Sequence, residues 1–228
     1  MGESVSFASN GQNGTGYLSL PPSGSGPAVI VIQEWWGLVG HIKDVVDRFA
    51  AAGFVALAPD LYHGESTAEP DEAKKLMMEL QMKKAGEDIA GAASYLSARS
   101  DVTSASVGAI GFCMGGTLAI WSATISENIS AAVGFYPGGS WERTNPNWSN
   151  YAGKAAIIHA AESDGTSSAP GIQEALTEIA SAGGSATAYD YAGTKHAFFN
   201  EDRPEVYSAP AADLAWTRTL DFLRSAVK

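Results

Sequence analysis

A run of small residues around the only cysteine constrains the fold of this 228-residue chain more than any other feature. An apolar segment at 107–110 leads into Gly-Phe-Cys-Met-Gly-Gly at 111–116, and a helix-forming stretch follows. This G-x-C-x-G spacing is that of the G-x-S-x-G turn, in which a nucleophile stands on a sharp connection between a strand and a helix. The motif therefore predicts a strand, a turn that exposes Cys113, and a helix whose N-terminal amides face the sulfur.

Strand-like and helix-like segments alternate along most of the chain. Helical periodicity is found over 71–82 and 84–97, before Gly53, before Gly183 and at the C-terminus. Apolar runs bounded by Gly, Pro or Asp predict strands at 5–7, 16–20, 28–32, 54–58, 131–135, 155–159 and 186–191. Such alternation predicts an α/β fold with a mainly parallel central sheet and helices on both faces. With no repeat or linker, residues 1–228 are expected to form a single domain.

Three chemically apt residues follow predicted strands. Cys113 ends one strand, Asp164 lies just past the strand at 155–159, and His196 lies just past the last strand. Ligands in parallel sheets bind at the carboxyl ends of the strands, and the order nucleophile, acid, histidine is that of an α/β-hydrolase. A thiol attacks as thiolate, an imidazole moves its proton, and a carboxylate orients the imidazole. These three residues are the predicted catalytic triad.

The loop after the first parallel strand, Gln-Glu-Trp-Trp-Gly at 33–37, carries two further predictions. In this fold that loop donates one oxyanion amide, and the residue after the nucleophile donates the other, so the candidates are the N–H groups of Trp35 and Met114. Glu34 is then either a solvated loop acid or a pocket carboxylate close to Cys113. In the pocket it would disfavour a thiolate by like-charge repulsion.

The other histidines are weaker candidates. His41 begins a helix and is expected at the surface or as a cap, whereas His159 lies within a strand and is expected in the core. His63 is a candidate for lining the pocket, since its loop lies at the carboxyl edge of the sheet. The sequence has no Cys, His and carboxylate spacing typical of a metal site, so no metal or cofactor is expected.

Composition narrows the partners to small molecules. A formal charge of −11 argues against nucleic acid or an anionic membrane as the main partner. A single cysteine forms no intramolecular disulfide, which fits a reducing, cytoplasmic location. The first six residues loosely match an N-myristoylation pattern, but no polybasic patch accompanies them, and no run of 18 apolar residues exists. A monomer or small homo-oligomer is expected.

Taken together, these motifs resemble the dienelactone hydrolase family, the cysteine branch of the α/β-hydrolases. The resemblance covers almost the whole chain and includes the loop at 33–37, Ala-Pro-Asp-Leu-Tyr at 58–62, the cysteine motif, Asp164, His-Ala-Phe-Phe at 196–199 and the segment 216–222. It implies a cofactor-free enzyme whose triad opens a lactone through an acyl-thioester. It also implies that Glu34 pairs with Cys113 at rest and accepts its proton when substrate displaces it.

The substrate pocket departs from the family pattern. Members that act on dienelactone bind its carboxylate with arginines, one of them four residues after the catalytic histidine, where this chain has Asn200. The stretch 70–82 contains lysines but no arginine, and Arg203 is the nearest replacement in sequence together with Lys195. The expected rim is aromatic and suits a small, partly apolar ester or lactone; its members are Trp35, Trp36, Tyr62, Phe198 and Phe199.

Three alternatives to a lactone hydrolase remain open at this point. One is a general short-chain carboxylesterase, and another is a non-catalytic binding protein on the same fold. A nucleotide-binding oxidoreductase is disfavoured, because the glycines at 108–116 miss the G-x-G-x-x-G spacing. The loop at 141–148 is interpreted as a wall of the pocket or a contact with another subunit.

Overall fold

The computed structural model describes residues 2–9 and 11–228, with the side chains of residues 166 and 167 left aside. The strands are β1 Glu3–Ser9, β2 Gln12–Ser19, β3 Gly26–Ile32, β4 Val55–Pro59, β5 Val102–Phe112, β6 Ile129–Phe135, β7 Ala155–Ala161 and β8 Ser185–Tyr191. The helices are α1 Gly40–Ala51, α2 Pro70–Glu79, α3 Met82–Ser97, α4 Met114–Ile125, α5 Gly165–Ser181 and α6 Ala209–Ala226.

The described strands form one eight-stranded sheet in the order β1-β2-β4-β3-β5-β6-β7-β8. The strands from β4 to β8 along this order are parallel, and the β1-β2 hairpin joins antiparallel at one edge through β2 and β4. The predicted mainly parallel sheet is therefore confirmed. Strand β5 lies in the middle of the sheet between β3 and β6, so the residue that follows it stands at the centre of the carboxyl edge.

Two apolar layers cover the two faces of the sheet, as predicted. Successive residues of β5 alternate between the layers: Ala109 packs with α3, α4 and α5, whereas Ile110 packs with α1 and α6. Because both faces are covered, the central strands are continuously apolar instead of alternating with polar residues. The helices thus fix the sheet from both sides and leave its carboxyl edge to the connecting loops.

The boundary between α2 and α3 differs from the sequence prediction. The helix predicted over 71–82 ends at Glu79, and α3 begins at Met82 instead of residue 84. Leu80 leaves the helical region with ψ 117°. The guanidinium of Arg143 donates to the carbonyls of Met77, at 2.9 Å, and Leu80, at 2.9 Å, so a distant loop closes the end of α2. Among the described residues, no helix is long and apolar enough to cross a membrane.

Candidate active site

The turn after β5 has the backbone of a nucleophile elbow. Cys113 adopts φ 57°, the left-handed region that residues other than glycine rarely enter. Its N–H donates to the Phe135 carbonyl at 3.0 Å, and its own carbonyl accepts the Gly116 N–H at 3.0 Å. A Cβ added to Gly111 would overlap the carbonyl of Gly115, which explains the small residues around the cysteine. The strand, turn and helix lie where the motif predicted them.

The loops after β7 and β8 bring a carboxylate and an imidazole together. Asp164 Oδ2 lies 2.7 Å from His196 Nδ1, and Ser163 Oγ accepts the backbone N–H of His196 at 2.9 Å. Burial lowers the pKa of His196, but hydrogen bonds with Asp164 and with Cys113 outweigh it and raise that pKa to about 10. The structure therefore brings the three predicted catalytic residues into one chain of contacts.

Glu34 is buried in the site, which excludes its interpretation as a solvated loop acid. Only 1% of the residue is exposed, and its Oε2 accepts the Asn200 amide at 2.9 Å. Loss of solvent raises the pKa of Glu34, while the Asn200 hydrogen bond and the charges of His196 and Arg203 act in the opposite direction. The resemblance implied a Glu34–Cys113 pair at rest. In the arrangement described here, Cys113 instead contacts His196 and Glu34 is held by Asn200.

The two candidate oxyanion amides come from segments that touch. Met114 is the first residue of α4, and the N–H at that position has no partner within a helix. A Cβ on Gly115 would overlap the carbonyl of Gln33, so the loop carrying Trp35 lies against the first turn of α4. The Trp35 ring packs edge-on against Trp36 at 4.9 Å between centroids. The two segments that carry the candidate amides are therefore neighbours at the carboxyl edge of the sheet.

Two predicted pocket residues lie on the side of α2. Tyr62 is buried, and its hydroxyl lies 3.7 Å from the sulfur of Met114. Burial raises the pKa of Tyr62, and the charge of Cys113 raises it further, whereas Arg143 lowers it. His63 Nε2 lies 3.1 Å from Oδ2 of the buried Asp88, and His63 lines a groove beside α2. Tyr62 therefore lies against the side chain of Met114, the residue after Cys113, while His63 is paired with Asp88.

A second set of predicted pocket residues lines a separate cavity of about 330 Å³. Its walls include Trp36, His41, Asn200 and Arg203. The Arg203 guanidinium forms an ion pair with Glu205 at 3.0 Å. The expectation of an exposed or capping His41 is wrong: the residue is 5% exposed, no side chain caps α1 by a hydrogen bond, and the His41 ring packs near aromatic rings. Asn200 is 3% exposed, and its main contact is Glu34.

The expectation that Phe198 and Phe199 line the substrate pocket is wrong. Both side chains are fully buried in the layer between the sheet, α1 and α6. Ala197, with φ 68°, turns the chain inward directly after His196. Phe199 then stacks on Phe112 at 5.3 Å between centroids. The two rings anchor the loop that carries His196 in the apolar layer and are not exposed to a substrate. His159 is fully buried, as expected.

Sequence reasoning missed two residues beside the site, Tyr136 and Arg143. Tyr136 directly follows β6 and is 1% exposed, with its ring edge-on to His196 at 5.0 Å. Its position after a strand next to β5 was the available signal. Arg143 lies in a loop 63 residues beyond Leu80, the residue whose carbonyl it binds, and no local pattern links the two.

The loop at 141–148, which had two open interpretations, packs onto α5. The indole of Trp141 is buried and donates to the Gly171 carbonyl at 2.8 Å. Trp148 packs edge-on against it at 5.1 Å. The contacts with α5 therefore fix the loop in the position from which Arg143 binds the end of α2. Among the described residues, no group of three or more His, Cys, Asp or Glu side chains could hold a metal ion.

Comparison with known proteins shows which family this chain is similar to. The model of the dienelactone hydrolase family matches residues 15–227. A protein of Aquifex pyrophilus named protein usf is 36% identical over 231 residues, with 98% of each chain covered. A protein of Aquifex aeolicus, provisionally named a carboxymethylenebutenolidase, is 34% identical with both chains fully covered. A Bradyrhizobium protein, provisionally named a 2-oxo-3-(5-oxofuran-2-ylidene)propanoate lactonase, is 30% identical over 96% of this chain and 92% of its own.

Solved structures show the same architecture. A protein of Klebsiella pneumoniae, provisionally named a dienelactone hydrolase, superimposes with a TM-score of 0.84 at 25% identity and 98% coverage of each chain. A thermophilic esterase of Thermogutta terrifontis superimposes with a TM-score of 0.70 at 19% identity, covering 98% of this chain and 92% of its own. The second similarity concerns the fold alone.

Proposed function

Since the chain belongs to the dienelactone hydrolase family, we propose that it hydrolyses a small lactone or carboxylic ester with Cys113 as nucleophile, without a cofactor. The observation that carries the proposal is the contact chain from Asp164 through His196 to Cys113. Its three members follow β7, β8 and β5 at the carboxyl edge of one sheet, where ligands bind in such folds.

The first half of the reaction is acylation of the thiol. The Cys113 thiolate attacks the carbonyl carbon, and the developing oxyanion receives hydrogen bonds from the N–H groups of Trp35 and Met114. The carbon–oxygen bond of the ester or lactone then breaks, and the leaving oxygen takes a proton from His196. The raised pKa of His196 supports this step, because the imidazole carries a proton at neutral pH. The product of this half is an acyl-thioester.

The second half is hydrolysis of that thioester. His196 accepts a proton from water, the hydroxyl attacks the thioester carbonyl, and the sulfur leaves as thiolate. Asp164 holds the imidazole in one orientation and stabilises its charge, and the 2.7 Å contact supports that role.

Glu34 is proposed to govern the thiol before substrate arrives. When its carboxylate faces Cys113, it accepts the thiol proton, and the resulting thiolate pairs with His196. Burial supports this role, since desolvation raises the pKa of Glu34 and makes it a stronger base than an exposed glutamate. The protonated Glu34 is then proposed to return to the Asn200 amide, which is its hydrogen-bond partner in the structure.

The substrate is proposed to be a small lactone, and a short-chain ester is the second candidate. The provisional names of two relatives refer to lactonases, which favours a lactone. The ester is favoured because the pocket lacks a free cation for a substrate carboxylate among the described residues: Asn200 is neutral, and both nearby arginines already have partners. Arg143 binds carbonyls of α2, and Arg203 pairs with Glu205, so neither guanidinium is free to grip a substrate carboxylate.

Turnover of cis-dienelactone and of p-nitrophenyl acetate, by wild type and Cys113→Ala, tests the proposal. Lactone turnover that falls at least about 10³-fold in the variant would support both the nucleophile and the lactone substrate. Ester turnover alone would keep the nucleophile and select the second candidate. Wild-type kcat in a folded Cys113→Ala protein would overturn the mechanism.

A further inference from the structure

Tyr136 occupies a central place in the site although the proposed mechanism does not use it. It follows β6 as Cys113 follows β5, and the last residues of these strands, Phe112 and Phe135, are register partners. Its N–H donates to the His159 carbonyl at 2.7 Å, and the Cys113 N–H donates to the carbonyl just before it. Tyr136 and Cys113 are therefore fixed side by side by the same backbone ladder.

The backbone of Tyr136 is strained. Its φ of 37° lies in the left-handed region, which is costly for an aromatic residue. Packing enforces this conformation, because the ring is enclosed by His196 at 5.0 Å and Phe198 at 5.4 Å between centroids. Strain of this kind persists where the surroundings over-determine it and is concentrated at functional sites.

The hydroxyl of Tyr136 is buried and has no hydrogen-bond partner among the described residues. An unpaired buried hydroxyl loses its hydration without compensation, so it needs an explanation. The charges that act on it are, in decreasing order, those of Glu34, Cys113, Arg203 and Asp164. Burial and the Glu34 charge raise the pKa of Tyr136 well above its usual value, so the phenol stays protonated and can only donate to an anion nearby.

The Glu34 carboxyl group, in turn, has few hydrogen-bond donors. Asn200 is the only hydrogen-bond donor to its carboxyl group among the described residues, although a carboxylate can accept several. If the carboxylate turns toward Cys113, it leaves that donor. A buried anion without a donor is costly, and Glu34 and Cys113 are the two groups whose charges act most strongly on the unpaired Tyr136 hydroxyl.

Resting on the proposed function of Glu34, we propose that Tyr136 is a positioning residue for this carboxylate. Its hydroxyl donates a hydrogen bond to ionised Glu34 when that side chain leaves Asn200 and faces Cys113. The thiol proton then moves from sulfur to Glu34, which returns to Asn200 as the neutral acid, and the Tyr136 hydroxyl is again without a partner among the described residues. The hydrogen bond favours the charged form of Glu34 and therefore keeps it available as a base at lower pH.

The test compares Tyr136→Phe with wild type in the pH profile of kcat/KM and in the rate of Cys113 alkylation by iodoacetamide. Alkylation needs no substrate and is specific, because the chain contains one cysteine. The acid limb of both profiles is expected to move up by about one pH unit, the effect of losing one hydrogen bond to a charged group. Because only the unpaired hydroxyl is removed, the variant is expected to unfold at no lower urea concentration than wild type.

Tyr151→Phe is the matched control, since that buried hydroxyl donates to the Ile120 carbonyl at 2.7 Å, away from the site. It should leave both acid limbs in place. In a Glu34→Gln background, Tyr136→Phe should cause no further shift, because the phenol acts through Glu34.

Two outcomes separate failure of this inference from failure of the proposed function. If Glu34→Gln abolishes the acid limb but Tyr136→Phe leaves it within about 0.2 pH units, Tyr136 is a packing residue and the inference is wrong. If Glu34→Gln leaves the acid limb unchanged, the role proposed for Glu34 is wrong, and the inference that rests on it falls with it.

Discussion

Two carboxylates serve the same site from opposite environments. Asp164 lies at the edge, with 15% of its side chain exposed, and is bonded to an imidazole at 2.7 Å. Glu34 lies inside, 1% exposed, and receives one neutral amide at 2.9 Å. A carboxylate beside an imidazolium is suited to remain charged, whereas a buried carboxylate with a neutral partner is suited to change its protonation state. Environment, and not residue type, separates the roles proposed for the two carboxylates.

The largest expected effect is that of Asp164→Asn. The variant keeps the shape of the side chain but loses the charge that orients and stabilises the imidazole of His196. We expect kcat to fall by about 10⁴-fold with little change in KM. Steady-state kinetics on the better of the two substrates measures this. A fall in kcat of less than tenfold would contradict the role proposed for Asp164, since its contribution to catalysis would then be no larger than that of a surface carboxylate.

Glu34→Gln is expected to have a smaller effect on rate and a larger effect on pH dependence. We expect kcat/KM to fall by about 10²-fold at neutral pH, because general-base assistance to the thiol is lost. The acid limb governed by Glu34 should disappear, whereas Asp164→Asn should retain it. The pH profiles of the two variants, measured side by side, check this difference. If both variants kept the acid limb, Glu34 would not be the group that titrates there, and the two carboxylates would differ in position but not in protonation.

The smallest expected effect is on stability, through Asn200→Leu. Glu34 then loses its amide donor inside the fold, and the free energy of unfolding should fall by about 1–3 kcal/mol at neutral pH. Burial already raises the pKa of Glu34, and losing the donor raises it further, so the loss should grow as pH rises from the folded-state pKa of Glu34 in wild type toward its higher pKa in the variant. Urea unfolding at pH 5 and pH 8 measures this dependence.

Asn150→Leu is a suitable control for that measurement. It removes an amide that donates to the Thr124 carbonyl, an uncharged acceptor, at 2.6 Å. Its effect on the free energy of unfolding should be the same at both pH values. Equal losses at pH 5 and pH 8 for Asn200→Leu would mean that Glu34 does not change protonation in the folded protein over this range.

The order of strands and the position of the cysteine turn were predictable because they depend on local pattern. Apolar runs of strand length and glycines at the turn act over a few neighbouring residues. The histidine loop shows the limit of this reasoning. The residue pattern at 196–200 suggested aromatic pocket walls, but one left-handed residue, Ala197, sends Phe198 and Phe199 into the core.

Contacts between segments that are distant along the chain could not be predicted from the local residue pattern. Arg143 was not considered, because its partners at the end of α2 are more than 60 residues away. His41 was expected at the surface, since its local sequence contains no sign of the aromatic side chains that cover it. Such pairings depend on which loops meet over the sheet, and that is a property of the assembled fold.

The sequence by itself determined the α/β architecture, the place of Cys113 on its turn and the candidates Asp164 and His196, because strand periodicity and residue order specify them. Only the tertiary structure decided which neighbour each ionisable group meets and how much water it keeps. Glu34 is the clearest example. Whether this residue is a solvated or a buried acid depends on its surroundings in the fold, among them Asn200, which lies more than 100 residues away along the chain and reaches it only through the packed sheet edge.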